Sequence, residues 1–294
     1  MRSVISSKRL AMQKPFLSPL NDAVFKMLFG DSRDVEPLTN FLKSTLSIPA
    51  EDYEEVTLAD PHLAREGWDD KLGILDVKLK TRSGRVIDVE IQVSNQRDLR
   101  QRIVFYLAKM VTEQIGEGER YQTIQPAICI LIADFTLIEE NSSYHNRYRL
   151  HDAQSGSEFT DLLEINTLEL PKLPKDDGTT LWDWLGFLKA ESKEELDMLA
   201  EKNPEVKKVV AKLMTLSEDE RARMLAESRD KMRWDMDSRE RAAREEGMEK
   251  GLEKGLEEGL KKVARNALKR GDSIEDIAEL TGLSIEKIQA LTLH

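Results

Sequence analysis

Residues 73–93 read GILDVKLKTRSGRVIDVEIQV, and the way this stretch pairs with itself decides the fold. Apolar and polar residues alternate on both sides of Arg82-Ser83-Gly84, the pattern of a β-hairpin with one face on a core. A three-residue loop with Gly84 in the left-handed region is a common hairpin turn, and it pairs Thr81 with Arg85. Asp76 then opposes Glu90, Ile74 opposes Gln92 and Lys78 opposes Asp88, all on one face. Leu75, Val77, Leu79, Ile87, Val89 and Ile91 fill the other. A loop one residue longer would break this parity and bury the acids. Carboxylates that face each other across a sheet repel, so Asp76, Glu90 and Asp88 need a counter-charge, and a cation between them supplies one. The competing reading is an exposed sheet face on which Lys78 and Asp88 form a cross-strand pair.

Helical spacing surrounds the hairpin. In residues 18–46, Val24, Phe25, Leu28 and Phe29 are followed by Leu38, Phe41, Leu42 and Leu46, which predicts two helices separated by Gly30 and Pro37, with Asn21 or Ser18 as the first cap. An amphipathic helix is expected over about 99–115, closed by Gly116 and Gly118. PAICILIADF, bounded by Pro126 and Asp134, has the continuous apolar run of a buried strand. HNRYRLHDAQSGSEFTDLLEINTLEL alternates like two strands around a Ser-Gly turn. Pro171, Pro174 and KDDG mark a loop before a helix in LWDWLGFLKA. From about Glu191 charged residues dominate and strand signals vanish. The expected organisation is a mixed α/β domain over 15–190, a charged helical region over 191–262 and a helix-turn-helix-like segment over 263–294.

The chain has 294 residues, 40% hydrophobic and 34% charged, with a net charge of −11. That balance does not coat the protein in positive potential, although nucleic-acid contact depends on local patches rather than totals. One cysteine, Cys129, rules out an internal disulfide framework and a cysteine-based zinc site; inside AICILIA it reads as a small buried hydrophobe. No apolar run approaches the roughly 18 to 20 residues that span a bilayer, and the basic start lacks a signal peptide's apolar core, so a cytoplasmic protein with no membrane association is expected.

ILDVK, a short turn and DVEIQV resemble the core of the PD-(D/E)XK nucleases, and more closely the recombination-promoting nuclease and putative transposase family within that superfamily. NDAVFKMLFGD, QRIVFYLAKM, GERYQTIQPAICI and FTDLLEINTLELPKL extend the resemblance over roughly residues 15–190. It implies an α/β fold with a mixed central sheet flanked by helices, followed here by an α-helical C-terminal tail. It also implies metal-dependent endonuclease action on DNA, in recombination or mobile-element biology. Carried onto this chain, Asp76 is the metal-binding aspartate, Glu90 the second acidic ligand, and Asp22 an acid of the first helix that completes the metal shell. Gln92 stands where most of the superfamily has lysine, though glutamine is usual in this branch. Lys78, on the same face, can supply the missing charge. Arg102 and Tyr106 match the helix after the core and either contact a phosphate of DNA or brace the site; an arginine and a tyrosine one turn apart also commonly cover a core edge. The implied cofactor is Mg²⁺ or Mn²⁺, since hard oxygen ligands suit such ions. The alternative is a non-catalytic scaffold for DNA or protein that keeps the nuclease fold.

Two features of the tail stand apart. In EEGMEKGLEKGLEEGL, Gly247, Gly251, Gly255 and Gly259 recur every four residues. Each glycine in a helix costs about 1 kcal/mol relative to alanine. The stripe drifts about 40° per step, so it can face a partner helix over a few turns, which makes a homo-oligomer one reading and a solvated linker helix the other. In SIEDIAELTGLSIEKIQAL, Ser273 and Ser284 suit N-caps, and Ile277, Leu283, Ile285 and Leu291 take positions expected to be buried. A helix-turn-helix reading would set residues 284–291 in a major groove; Glu286, Lys287 and Gln289 match phosphate poorly, and a helical hairpin packing on a partner fits equally.

Overall fold

The computed structural model describes residues 15–59 and 76–291; Ile74 and Leu75 of the hairpin expectation lie outside them. Helices α1 (Asp22–Phe29) and α2 (Glu36–Thr45) precede the short strand β1 (Val56–Leu58) and the hairpin β2 (Val77–Thr81) and β3 (Val86–Gln92). Helix α3 (Leu99–Thr112), strand β4 (Ala127–Ala133) and the pair β5 (His145–His151) and β6 (Glu158–Glu169) follow. Helices α4 (Thr180–Lys189), α5 (Lys193–Lys202), α6 (Pro204–Glu218), α7 (Glu220–Arg270), α8 (Ile274–Thr281) and α9 (Ile285–Ala290) complete the chain.

The six strands form one mixed sheet in the order β1-β2-β3-β4-β6-β5. The β1–β2–β3 edge is antiparallel, β3–β4 and β4–β6 run parallel, and β5 returns antiparallel on β6. Two helix layers sandwich it, and they are unequal. On one face Val77, Leu79, Ile87, Val89 and Ile91 join Ile128, Ile130 and Ile132 of β4 in the main core, capped by α1, α2 and α4 through α6. At its heart Trp184 meets Phe29, Phe41 and Phe187, with ring centroids 5.8, 6.2 and 6.5 Å away. On the other face α3 lays Leu99, Ile103, Leu107 and Met110 over Val86, Ala127, Cys129 and Leu131. This explains why every residue of AICILIA is buried: a central strand between two helix layers has no solvent face.

The hairpin has the expected register. Val77 pairs with Val89, Lys78 with Asp88 and Leu79 with Ile87. The turn closes with the Thr81 N–H on the Arg85 carbonyl at 3.1 Å, and Gly84 has φ 88°, where an L side chain is disfavoured. The competing reading of an exposed sheet face does not hold, because α3 covers it: Asp88 is 0% and Glu90 4% exposed.

Local chemistry sets the helix ends. The Asn21 side chain accepts from the N–H groups of Ala23 and Val24 and caps α1, satisfying donors that the first turn leaves open. Pro37 lies in the first turn of α2, where a missing N–H is harmless. Ser192 and Glu195 form a capping box on α5.

By packing, the chain divides into residues 1–230 and 231–294. The compositional change near Glu191 falls inside the first unit, since Leu196, Leu199, Val206, Val209, Leu213 and Ala226 belong to the same core as Phe25. In the second unit Ala264 and Ala267 of α7 meet Ile277, Leu283 and Ile288 in a small core. Ser273 and Ser284 cap α8 and α9 as expected, and Gly282 at φ 69° ends α8. Ile285, expected to be buried, is 46% exposed as the first residue of α9 and is not part of the small core. Glycines 247, 251, 255 and 259 all lie within α7. No helix among the described residues is long and apolar enough to cross a membrane.

Candidate active site

Strand alternation places the acids. Glu90 and Gln92 of β3 point opposite to Val89 and Ile91, and Asp76 sits one residue before β2, where it faces Glu90. One Asp76 oxygen, Oδ2, accepts the Ile91 N–H at 2.9 Å, and the other, Oδ1, lies 3.2 Å from Lys26 Nζ. Gln92 Nε2 donates to Glu90 Oε2 at 3.2 Å. Deeper on the same face, Asp88 receives only a long contact from the Cys129 thiol, 3.9 Å to Oδ2, and its Oδ1 has no hydrogen-bond partner among the described residues.

These carboxyls hold their protons unusually well. Burial pushes Asp76 above its ordinary value, against the opposing pull of the Ile91 N–H and Lys26. Burial, then the charge of Asp76, pushes Glu90 up to about 8. Asp88 stands well above the usual carboxylate range, through burial and then the charges of Glu90 and Asp76. In all three, burial outweighs the nearby cations Lys26, Lys78 and Arg102, so the acids stay raised.

The other expected site residues lie around this group in different ways. Asp22 opens α1, and its charge reaches Asp76; its Oδ2 is 3.7 Å from Arg229 Nε. Arg102 and Tyr106 of α3 both face the acids: Arg102 favours ionisation of Glu90, and burial followed by the nearby carboxylates raises Tyr106. Arg102 Nη1 donates to Gln96 Oε1 at 2.5 Å, while its Nε is buried without a hydrogen-bond partner among the described residues. Lys78 is opposite Asp88 in register, but its Nζ bridges Glu113 Oε2 at 3.0 Å.

Two participants were not among the expected site residues. Lys26 stands one helical turn after Asp22, and the only sequence signal for it is that i, i+4 spacing. Asp88 was legible as part of the acid face, yet only the packing of α3 reveals its full burial.

A divalent ion fits the donor set. Asp76 and Glu90 offer carboxylate oxygens to one space, and the buried Asp88 Oδ1, with no hydrogen-bond partner among the described residues, lies on the same face. No group of three His, Cys, Asp or Glu side chains among the described residues is arranged to hold a metal alone. A hard divalent cation can be bound through only one or two carboxylates, with water completing its shell.

A protein-family profile described as PD-(D/E)XK nuclease family transposase matches residues 19–243, well over half of the chain. Neither the curated proteins nor the solved structures give a significant match. The profile spans α1, the whole sheet and every side chain of the acid cluster. The mixed sheet flanked by helices agrees with it, and the chain belongs to the PD-(D/E)XK nuclease family transposases.

Proposed function

We propose that the protein is a divalent-metal-dependent endonuclease that hydrolyses phosphodiester bonds in DNA during recombination or mobile-element movement. The observation that carries this reading is the facing pair Asp76 and Glu90, flanked by Lys26 on one side and Gln92 on the other. Asp76 and Glu90 would hold the ion, with Asp22 contributing at the edge. When bound, Mg²⁺ or Mn²⁺ supplies a water of lowered pKa and neutralises charge developing on the phosphoryl oxygens.

The chain's own groups do the rest. The Ile91 N–H fixes one Asp76 oxygen and leaves the other turned toward Lys26. Gln92 orients Glu90 without adding charge. Lys26 carries the positive charge that Gln92 lacks, placed where it can pass from Asp76 to an incoming phosphate. Lys78 stays a second source of such charge, held by Glu113. The layer formed by α3 keeps water from the back of the acids, which strengthens each of these interactions. The tail would serve self-association or engagement of DNA.

One observation favours the scaffold reading instead: Lys26 already balances Asp76, so the acid face is tolerable without metal. Nicking of supercoiled plasmid separates the two. The endonuclease reading expects nicking with Mg²⁺ or Mn²⁺ that is lost in both Asp76→Ala and Glu90→Ala. Absence of nicking by a folded wild-type protein, with no metal-dependent thermal shift that Asp76→Ala abolishes, would leave the scaffold.

A further inference from the structure

Beside the acids the first unit carries an open cleft of about 610 Å³ that the reaction as described does not use. Ala23, Lys26 and Met27 of α1 form one wall, the loop with Asp31, Ser32 and Arg33 another, and Lys212 of α6 and Arg229 of α7 close it. Four cations and one carboxylate line this space, in a chain whose net charge is −11. A cleft in which one sign of charge predominates focuses its field and concentrates counter-ions.

The cations are held in ways that leave them available. Arg229 Nε lies 3.7 Å from Asp22, and Lys212 Nζ lies 3.8 Å from Asp34 while donating to the Leu28 carbonyl at 3.0 Å. Both ion pairs are long. Arg33 makes a two-point contact with Asp31, yet its side chain is 87% exposed, which leaves the outer edge of the guanidinium open to a ligand. Between the cations Ala23, Met27 and Leu216 offer an apolar floor, suited to a sugar rather than to a free anion. Lys26 belongs to both places: it lines the cleft and touches Asp76.

We propose that this cleft seats the backbone of the DNA substrate, with phosphates flanking the scissile bond on Arg33, Lys212 and Arg229 and the scissile phosphate passed along Lys26 to Asp76 and Glu90. The assignment rests on the endonuclease reading for its choice of ligand, and it names the surface that delivers substrate to the site. Arginine and lysine are the phosphate-binding side chains, and the binding they support is salt-dependent because each contact releases counter-ions.

The test is the affinity of the full-length protein for a short fluorescein-labelled duplex, read by anisotropy in EDTA over a range of KCl concentrations. Arg33→Gln/Lys212→Gln should bind on the order of tenfold more weakly and lower the slope of log K against log salt by about two. Lys193→Gln, which changes an exposed lysine on α5, should bind as wild type does. Because Lys212 also supports the end of α1, melting curves accompany the titrations. If the double variant is less stable, Arg33→Gln alone should lower the slope by about one. Wild-type affinity and slope in the variants would overturn the proposal, and so would a wild-type protein that does not bind duplex. Glu90→Gln keeps the two readings apart: lost nicking with intact binding leaves the cleft assignment standing, and intact nicking overturns the site but not the cleft.

Discussion

Glu90 keeps its proton up to about pH 8 because burial and the neighbouring Asp76 both oppose its charge. Its ordinary value is 4.5, so between these values the folded chain binds a proton that the unfolded chain releases. Stability without metal therefore falls as pH rises through that window. Asp76 and Asp88 are also raised and act in the same direction. Melting temperatures in EDTA across this range should show the fall, and Glu90→Gln should flatten it. The same variant should lose more than about a hundredfold in nicking, since losing even an outer-shell partner of a metal site costs 10- to 100-fold. Lys26 makes a sharper distinction. As a cation competing for Asp76, its removal in Lys26→Met should leave Mn²⁺ affinity, measured by calorimetry, equal or higher. Nicking should drop by about 10²- to 10³-fold, the scale for losing one preorganised electrostatic partner. Lys78→Met, with Glu113 already holding that lysine, should show a smaller drop. Asp76 and Glu90 were legible because period-two alternation and a glycine turn are local signals. Lys26 was not, because it reaches Asp76 only after α1 docks on the sheet. The alternation of β3 suggested a solvated face for the same reason: the residues that cover it, Leu99 through Met110, belong to a helix whose docking place is not a local property.

Among the elements, α1 depends on a single buried amide. Asn21 caps the helix through its side-chain oxygen, and its nitrogen donates to the Ala226 carbonyl at 3.0 Å and to Asp230 Oδ1 at 2.9 Å. Asn21→Ala removes the cap and the two amide hydrogen bonds to α7, so about 2 to 3 kcal/mol of stability should go; urea denaturation measures it. Asp22 and Lys26 ride on this helix, so metal affinity should fall with it. The glycine series in α7 gives the opposite sign. A Cβ added at Gly247, Gly251, Gly255 or Gly259 meets nothing within 4 Å, and none of these glycines has a positive φ. Alanine at each should then stabilise the helix by about 1 kcal/mol, seen as slower amide exchange over 247–259. A stripe that packs on a second chain would show instead as weaker self-association in sedimentation. The strand run AICILIA and the caps Asn21, Ser273 and Ser284 were readable because each needs only its neighbours in sequence. The glycines were read as part of a helix, and they lie inside α7; whether they face a partner depends on a second chain, which local sequence does not show.

For the whole molecule, the first unit should stand without the second. Its core draws on residues from Phe16 to Ala226, and the second unit has its own small core. A chain ending at Asp230 should therefore unfold cooperatively near the full-length melting temperature in calorimetry; a large loss would mean that the remainder of α7 supports it. The compositional change at Glu191 pointed to an earlier division because charge content reports the solvent face of α5 and α6, while the apolar stripe that joins them to the core is a minority of their residues. One more consequence concerns Cys129, the only cysteine in the chain, 1% exposed beneath α3 with its sulfur beside Asp88. A thiol reagent can reach it only when the layer over the acids lifts. The rate of alkylation in the unaltered protein is therefore a stopwatch for how often that lid opens, with an occupied metal site expected to slow it.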